Sequence, residues 1–125
     1  MQPEILFVDD QRDVLDVGVL TLKEEGYQVT PAASGDIALV ILEQGIRYRL
    51  LITDVVLPGV LDGFALAHRA KQLVPAIQII YTTGYGGIVN VRSQGAPYGE
   101  VLAKPWKPGE LIGLVSKAVG LPSRA

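Results

Sequence analysis

The chain has 125 residues, 49% apolar and 19% charged, which suits one ordinary globular domain and excludes a polar, disordered chain. Thirteen acids against eleven bases leave a formal net charge of −2, without the basic excess of a nucleic-acid or anionic-membrane binder. The lack of cysteine excludes disulfide scaffolds, thiolate metal sites and cysteine catalysis, and the single His68 makes a histidine-rich zinc site or a serine–histidine triad hard to assemble.

The first ten residues, MQPEILFVDD, reach acids too soon for a secretory segment. No apolar run approaches the roughly 18 residues that a membrane span needs. A soluble, cytoplasmic single domain over residues 1–125 is expected. Residues 4–8 (EILFV) predict a first strand ended by Asp9 and Asp10. A helix follows over about 12–25, with Val14, Val17, Leu20 and Leu22 as its apolar stripe and Gly26 as its stop. Residues 27–33 (YQVTPAA) read as a second strand, which Pro31 assigns to a sheet edge. Ser34 offers an N-cap for a helix to about Gln44, stopped by Gly45.

A third strand over 49–53 (RLLIT) runs into Asp54, and the PG and DG pairs at 58–59 and 62–63 mark a turn-rich connection. A helix over about 63–73 precedes a fourth strand over 76–82 (AIQIIYT). The Gly-rich segment 84–98 is assigned a further helix, and its GYGG stretch lacks phosphate-loop spacing and reads as a mobile loop. Residues 101–103 form a short fifth strand, and about 108–119 a closing helix with Pro108 in its first turn. Strict alternation predicts an α/β fold: five βα units, a parallel sheet and helices on both faces. Apolar strands such as LLI and IQII fit burial on both sides.

In such sheets ligands bind beyond the carboxyl ends of the strands. Those ends carry Asp9–Asp10, Thr53–Asp54, Thr82–Thr83 and Lys104–Pro105. Taken singly, each has an ordinary role as a helix cap, loop start or solvated charge. Their joint fall at four strand ends points instead to a site. Three converging carboxylates repel and so invite a cation, and oxygen-only donors favour Mg²⁺. A lysine and a hydroxyl opposite them suit the oxygens of a phosphoryl group.

The motifs ILFVDD, LLITDVVLPG, IIYTTGY and LAKPW together closely resemble the receiver domains of two-component response regulators, over essentially the whole chain. The resemblance implies a flavodoxin-like three-layer sandwich with strand order 2-1-3-4-5. It implies that Asp54 is the phosphoacceptor, and that Asp9, Asp10 and Asp54, with the backbone carbonyl of Val56, hold Mg²⁺. It further implies that Lys104 and a strand-four hydroxyl contact the phosphoryl group. Thr83 is chosen for that hydroxyl because a small residue, Gly84, follows it; Thr82 is the fallback. The implied partners are a sensor histidine kinase or histidine phosphotransfer protein and a downstream output domain or protein. No direct nucleic-acid or membrane contact is expected, and the chain would be a monomer or weak dimer. The only chemistry expected is its own phosphorylation and dephosphorylation, not turnover as an enzyme.

Three departures stand out. Val101 occupies a position where receivers commonly carry an aromatic that reorients on activation. Tyr81, Tyr85, Tyr98 or Trp106 are the candidates to relay the change instead, with plain packing the favoured role for Tyr81 and Trp106. The segment RSQGAPYGEVL and the loop PGVLDG are each longer than usual, by about two residues and one residue by comparison with the resembled family. His68 reads as a surface or packing residue. The Lys104–Pro105 peptide is trans by base rate and cis by resemblance. Competing readings are an aspartyl-nucleophile phosphohydrolase, a phosphorylation-independent pseudo-receiver that only binds, and a flavin binder of the same fold. Adjacent Asp9–Asp10 in place of DxD argues against the first, and the intact acid, hydroxyl and lysine set against the second.

Overall fold

A computed structural model describes residues 4–84 and 99–122. Five strands, β1 (Ile5–Val8), β2 (Val29–Ala32), β3 (Leu50–Asp54), β4 (Gln78–Thr83) and β5 (Gly99–Ala103), form one sheet. All pairs are parallel and the order is β2-β1-β3-β4-β5. The described helices are α1 (Arg12–Glu24), α2 (Gly35–Glu43), α3 (Gly63–Leu73) and α4 (Pro108–Val119). The helix assigned to 84–98, Tyr85, Tyr98 and most of GYGG lie outside the described residues.

Strand alternation sends side chains to two separate cores. Leu6, Val8, Leu51, Ile79 and Tyr81 pack with Ala38 and Leu42 of α2 and with Leu66 and Ala70 of α3. Ile5, Phe7, Leu50, Ile52 and Ile80 pack with Leu15 and Leu22 of α1 and with Leu111 and Val115 of α4. The result is a three-layer, flavodoxin-like sandwich. Each large side chain buried here contributes about 1.5–3 kcal/mol relative to exposure.

Local signals act as their chemistry dictates. Ser34 Oγ accepts a hydrogen bond from the Ile37 amide at 3.1 Å and starts α2. Asp62 does the same for α3 through the Ala65 amide at 2.8 Å. Gly26 and Gly45 end their helices with φ of +105° and +87°, a region costly to other residues. Pro31 sits in edge strand β2, paired with Phe7. The sheet's opposite pole is tied down by Arg49, whose guanidinium donates to Glu4 Oε2 at 3.1 Å and to the Val119 carbonyl at 2.6 Å. Tyr27 Oη donates to the Gly120 carbonyl at 2.8 Å beside it.

Strand ends move by one or two residues from the sequence expectation: β1 begins at Ile5, β2 shortens from 27–33 to Val29–Ala32, β3 shifts to Leu50–Asp54, and the starts of β4 and β5 each move by two. β4 begins at Gln78, because the Ile77 amide turns back to the Val74 carbonyl at 2.9 Å. β5 begins at Gly99, where the Ile79 backbone approaches so closely that a Cβ has no room.

Candidate functional site

Four parallel strands end at one rim, and their last residues converge there. Asp9, directly after β1, is fully buried. Its Oδ1 accepts from the Gln11 amide at 2.9 Å, which orients the carboxylate as the chain enters α1. Asp10 beside it is exposed. Asp54 closes β3, nearly buried, and its Oδ1 accepts from the Val56 amide at 3.2 Å. One carboxylate oxygen from each of Asp9, Asp10 and Asp54 lies within 4.8 Å of the others.

Lys104, the first residue after β5, reaches across this cluster. Its Nζ donates to Asp54 Oδ2 at 2.7 Å and lies 2.7 Å from Asp9 Oδ2. Asp9 Oδ2 is buried, and the Lys104 ammonium is the group that faces it. Burial pushes the Asp9 carboxyl above its ordinary range, against the pull of Lys104 and the Gln11 amide. Burial also pulls on Lys104, but Asp54 and Asp9 outweigh it and hold the ammonium charged, its pKa above the usual lysine value.

Thr82 and Thr83 are both buried at the end of β4. Backbone bonds knit the rim around them: the Val55 amide donates to the Thr82 carbonyl at 3.0 Å and the Lys104 amide to the Thr83 carbonyl at 2.7 Å. The Lys104–Pro105 peptide is cis, in line with the resemblance and against the base rate. An open groove of about 530 Å³ lies beside Lys104, lined by Gln11, Asp13, Val14, Val17, Pro105 and Trp106.

The donor set fits a hard divalent cation. All three acids offer oxygen, and Asp9 brings a buried carboxylate oxygen into the cluster beside the Lys104 ammonium. Val56 follows Asp54 by two residues, which puts its backbone at the same rim.

The sequence names the side chains of the rim but not the devices that aim them. Neither the Gln11 and Val56 amides nor one lysine serving two acids is readable from spacing. Gly63 reads in the sequence as the end of a turn and the start of a helix, with no part in the site. In the fold it begins α3 against the Asp54 and Val55 backbone, with Val55 Cα 2.8 Å from where a Cβ would sit. Its amide donates to the Val55 carbonyl at 2.8 Å, which clamps the loop after β3. The dipeptide DG, a helix cap followed by a residue without a side chain, is the signal that could have found it. Away from the rim, Val101 pairs with Tyr81 across β4 and β5, and Tyr81 packs its ring on Phe64 with centroids 5.1 Å apart. Tyr81 is core and Trp106 half-buried, as packing roles require. His68 is exposed on α3.

Comparison with known proteins agrees with this geometry. Residues 5–116 match the response regulator receiver domain family. The response regulator receiver protein CpdR of Brucella abortus is 32% identical over 114 residues, covering 90% of this chain and 93% of that one. The sensor kinase CckA of the same organism is 38% identical over 82 residues, which are 65% of this chain and 9% of that protein. A crystal structure of a response regulator receiver protein from Sinorhizobium medicae superposes with a TM-score of 0.85 at 30% identity, covering 94% of each chain. Among the described residues no helix is long and apolar enough to cross a membrane. Sequence, fold and rim therefore lead to one assignment: this chain belongs to the response regulator receiver domain family of two-component systems.

Proposed function

We propose that the domain accepts a phosphoryl group on Asp54 from a phosphohistidine of a sensor histidine kinase or histidine phosphotransfer protein. The observation that carries this reading is the Lys104 ammonium, bonded to Asp54 at 2.7 Å inside a cluster of three acids. An Asp54 carboxylate oxygen attacks phosphorus in line, the phosphorus–nitrogen bond breaks, and its electron pair stays on the donor imidazole. An acyl phosphate on Asp54 results. Lys104 stays beside the transferred group and neutralises charge on its oxygens. Asp9, Asp10, Asp54 and the Val56 carbonyl would hold Mg²⁺, which supplies further charge neutralisation to those oxygens.

The Val56 amide on Oδ1 and Lys104 on Oδ2 orient the Asp54 carboxylate before any donor arrives. Thr83 is the hydroxyl assigned to the modified group, and its movement would bias the loop after β4. A downstream output domain or protein would read that change. The likeness to both CpdR and a segment of CckA supports a receiver used alone or as one part of a longer regulator or kinase. The domain's chemistry would be its own phosphorylation and hydrolysis, in the cytoplasm, as a monomer or weak dimer without direct nucleic-acid contact.

Intact-mass spectrometry after acetyl phosphate, with and without Mg²⁺, tests the reading. A Mg²⁺-dependent gain of one phosphoryl group that folded Asp54→Asn lacks is expected. Persistent labelling of that variant would overturn the assignment.

A further inference from the structure

The loop between β3 and α3 carries Val56, whose amide holds Asp54 Oδ1 at 3.2 Å. Both ends of the loop are tied to the body of the fold. The Val55 amide donates to the Thr82 carbonyl at 3.0 Å, and the Gly63 amide donates to the Val55 carbonyl at 2.8 Å. Between them Leu57 is buried in the core shared with α2 and α3.

The rest of the loop leans on the first turn of α2. A Cβ on Gly35 would lie 2.7 Å from the Leu61 carbonyl oxygen and 3.0 Å from Leu61 Cβ. From the other side, a Cβ on Gly59 would lie 2.9 Å from Asp36 Oδ2. A glycine on each side therefore lets helix and loop close on one another. α2 is in no position to retreat, because Ser34 caps its first turn and Ala38 and Leu42 hold its inner face in the core. The exposed Asp36 carboxylate ends a side chain and can turn away. The Leu61 carbonyl is backbone, so a methyl at position 35 has to move the loop itself, until 2.7 Å widens to the 3.4 Å or more of ordinary contact.

That movement has a short route to the carboxylate. Leu61 stands two residues before Gly63, and Gly63 holds the carbonyl of the peptide unit whose other end is the Val56 amide. A peptide unit is planar, so its carbonyl and its amide turn together. We propose that Gly35 is a positioning residue for Asp54: its lack of a side chain lets Leu61 close on α2, and the Gly63 bond passes that closure through the Val55–Val56 peptide to Asp54 Oδ1. This role rests on the reading of Asp54 as the phosphoacceptor. It gives α2, which supplies none of the rim's acids nor its lysine, a share in aiming the group that reacts.

Timed mass spectrometry after acetyl phosphate, at saturating Mg²⁺, compares the parent with Gly35→Ala and Gly45→Ala, and urea unfolding ranks their stabilities. Gly45 follows the other end of α2 and has nothing within 4 Å of its Cβ position. Alanine there strains the backbone at a φ of +87° without touching the loop. Gly35→Ala should label about tenfold more slowly, as a displacement on the order of 1 Å or less at a reacting group implies. Its Val56 amide resonance should also shift in NMR spectra recorded before any phosphodonor is added. Gly45→Ala should lose stability yet label within about twofold of the parent, as distant sites act independently, with its Val56 resonance unmoved. If Gly35→Ala is unfolded in plain buffer, trimethylamine N-oxide in all three samples restores the folded state for the comparison. A folded Gly35→Ala that labels at the parent rate overturns the positioning role while leaving the phosphoacceptor reading intact. So does equal slowing by Gly45→Ala, which would reduce the effect to helix stability. Slow labelling with an unmoved Val56 resonance overturns the route through the peptide. A parent that gains no phosphoryl group overturns the phosphoacceptor reading and this role with it.

Discussion

Thr82 stands directly opposite Asp54 in the register of β3 and β4, while Thr83, one residue on, stands opposite Ala103 of β5. Thr82 also keeps a buried hydroxyl with no hydrogen-bond partner among the described residues. An unsatisfied buried hydroxyl costs stability, so the isosteric Thr82→Val should stabilise the fold by about 1 kcal/mol in urea unfolding. With Thr83 as the phosphoryl contact, Thr82→Val should label normally with acetyl phosphate. Thr83→Ala should label too but lose the Trp106 fluorescence change that follows. Slow labelling of Thr82→Val would transfer the role to Thr82.

Gly63 lets α3 begin against the backbone that carries Asp54, at a separation no Cβ tolerates. Gly63→Ala should therefore push the loop after β3 outward, at a cost of about 1–3 kcal/mol. Displacing the phosphoacceptor should also slow acetyl-phosphate labelling on the order of tenfold or more. Denaturant unfolding and timed mass spectrometry measure the two effects on one sample. A destabilised variant that labels at the parent rate would separate Gly63 from the aim of Asp54.

At the other pole, Glu4 is buried and Arg49 is its partner, with the same guanidinium bonded to the end of α4. Arg49→Met should cost about 1–3 kcal/mol, since it strands a carboxylate and a helix-terminal carbonyl together. Much of the loss should return in the double variant Glu4→Gln/Arg49→Met, which removes the stranded charge. Phosphorylation should be unaffected, because neither residue reaches the rim.

Tyr27 supplies a pH-dependent part of that same anchorage. Burial, and then the nearby Glu4 and Glu25 charges, raise its hydroxyl above the ordinary tyrosine value of 10.0. The folded state thus holds the phenolic proton more tightly than the unfolded chain. That contribution is fully present below pH 10.0 and is lost as pH rises through the higher folded value. Tyr27→Phe should lose about 1 kcal/mol at neutral pH, with its bond to the Gly120 carbonyl gone. The gap between parent and variant should narrow in strongly alkaline buffer, as urea midpoints across the pH series would record.

Much of this architecture is legible in the sequence alone. Runs such as LLI and IQII declare strands buried on both faces, Ser34 declares a cap, and Pro31 an edge. Asp9, Asp54 and Lys104 can be placed at one rim because parallel strands put all their carboxyl ends on one side. The misses have a common cause. Gly99 and Glu100 have little strand preference of their own, and pairing with Ile79 and Ile80 overrides it. Which oxygen each acid presents, and that Lys104 spans two of them, depends on side-chain torsions that spacing along the chain does not encode.

Pro31 has a consequence beyond marking where the sheet stops. Gln28 and Ala32 turn their carbonyls toward β1, accepting from Ile5 at 3.0 Å and Asp9 at 3.1 Å. Backbone groups of alternate residues face opposite sides of a strand, so position 31 faces away from the sheet. A second strand laid against β2 would find a proline ring there instead of a donor. Two copies that tried to merge their sheets into one continuous ribbon would forfeit a bond at the centre of the seam. The exposed edge is thereby made a poor template for fibres.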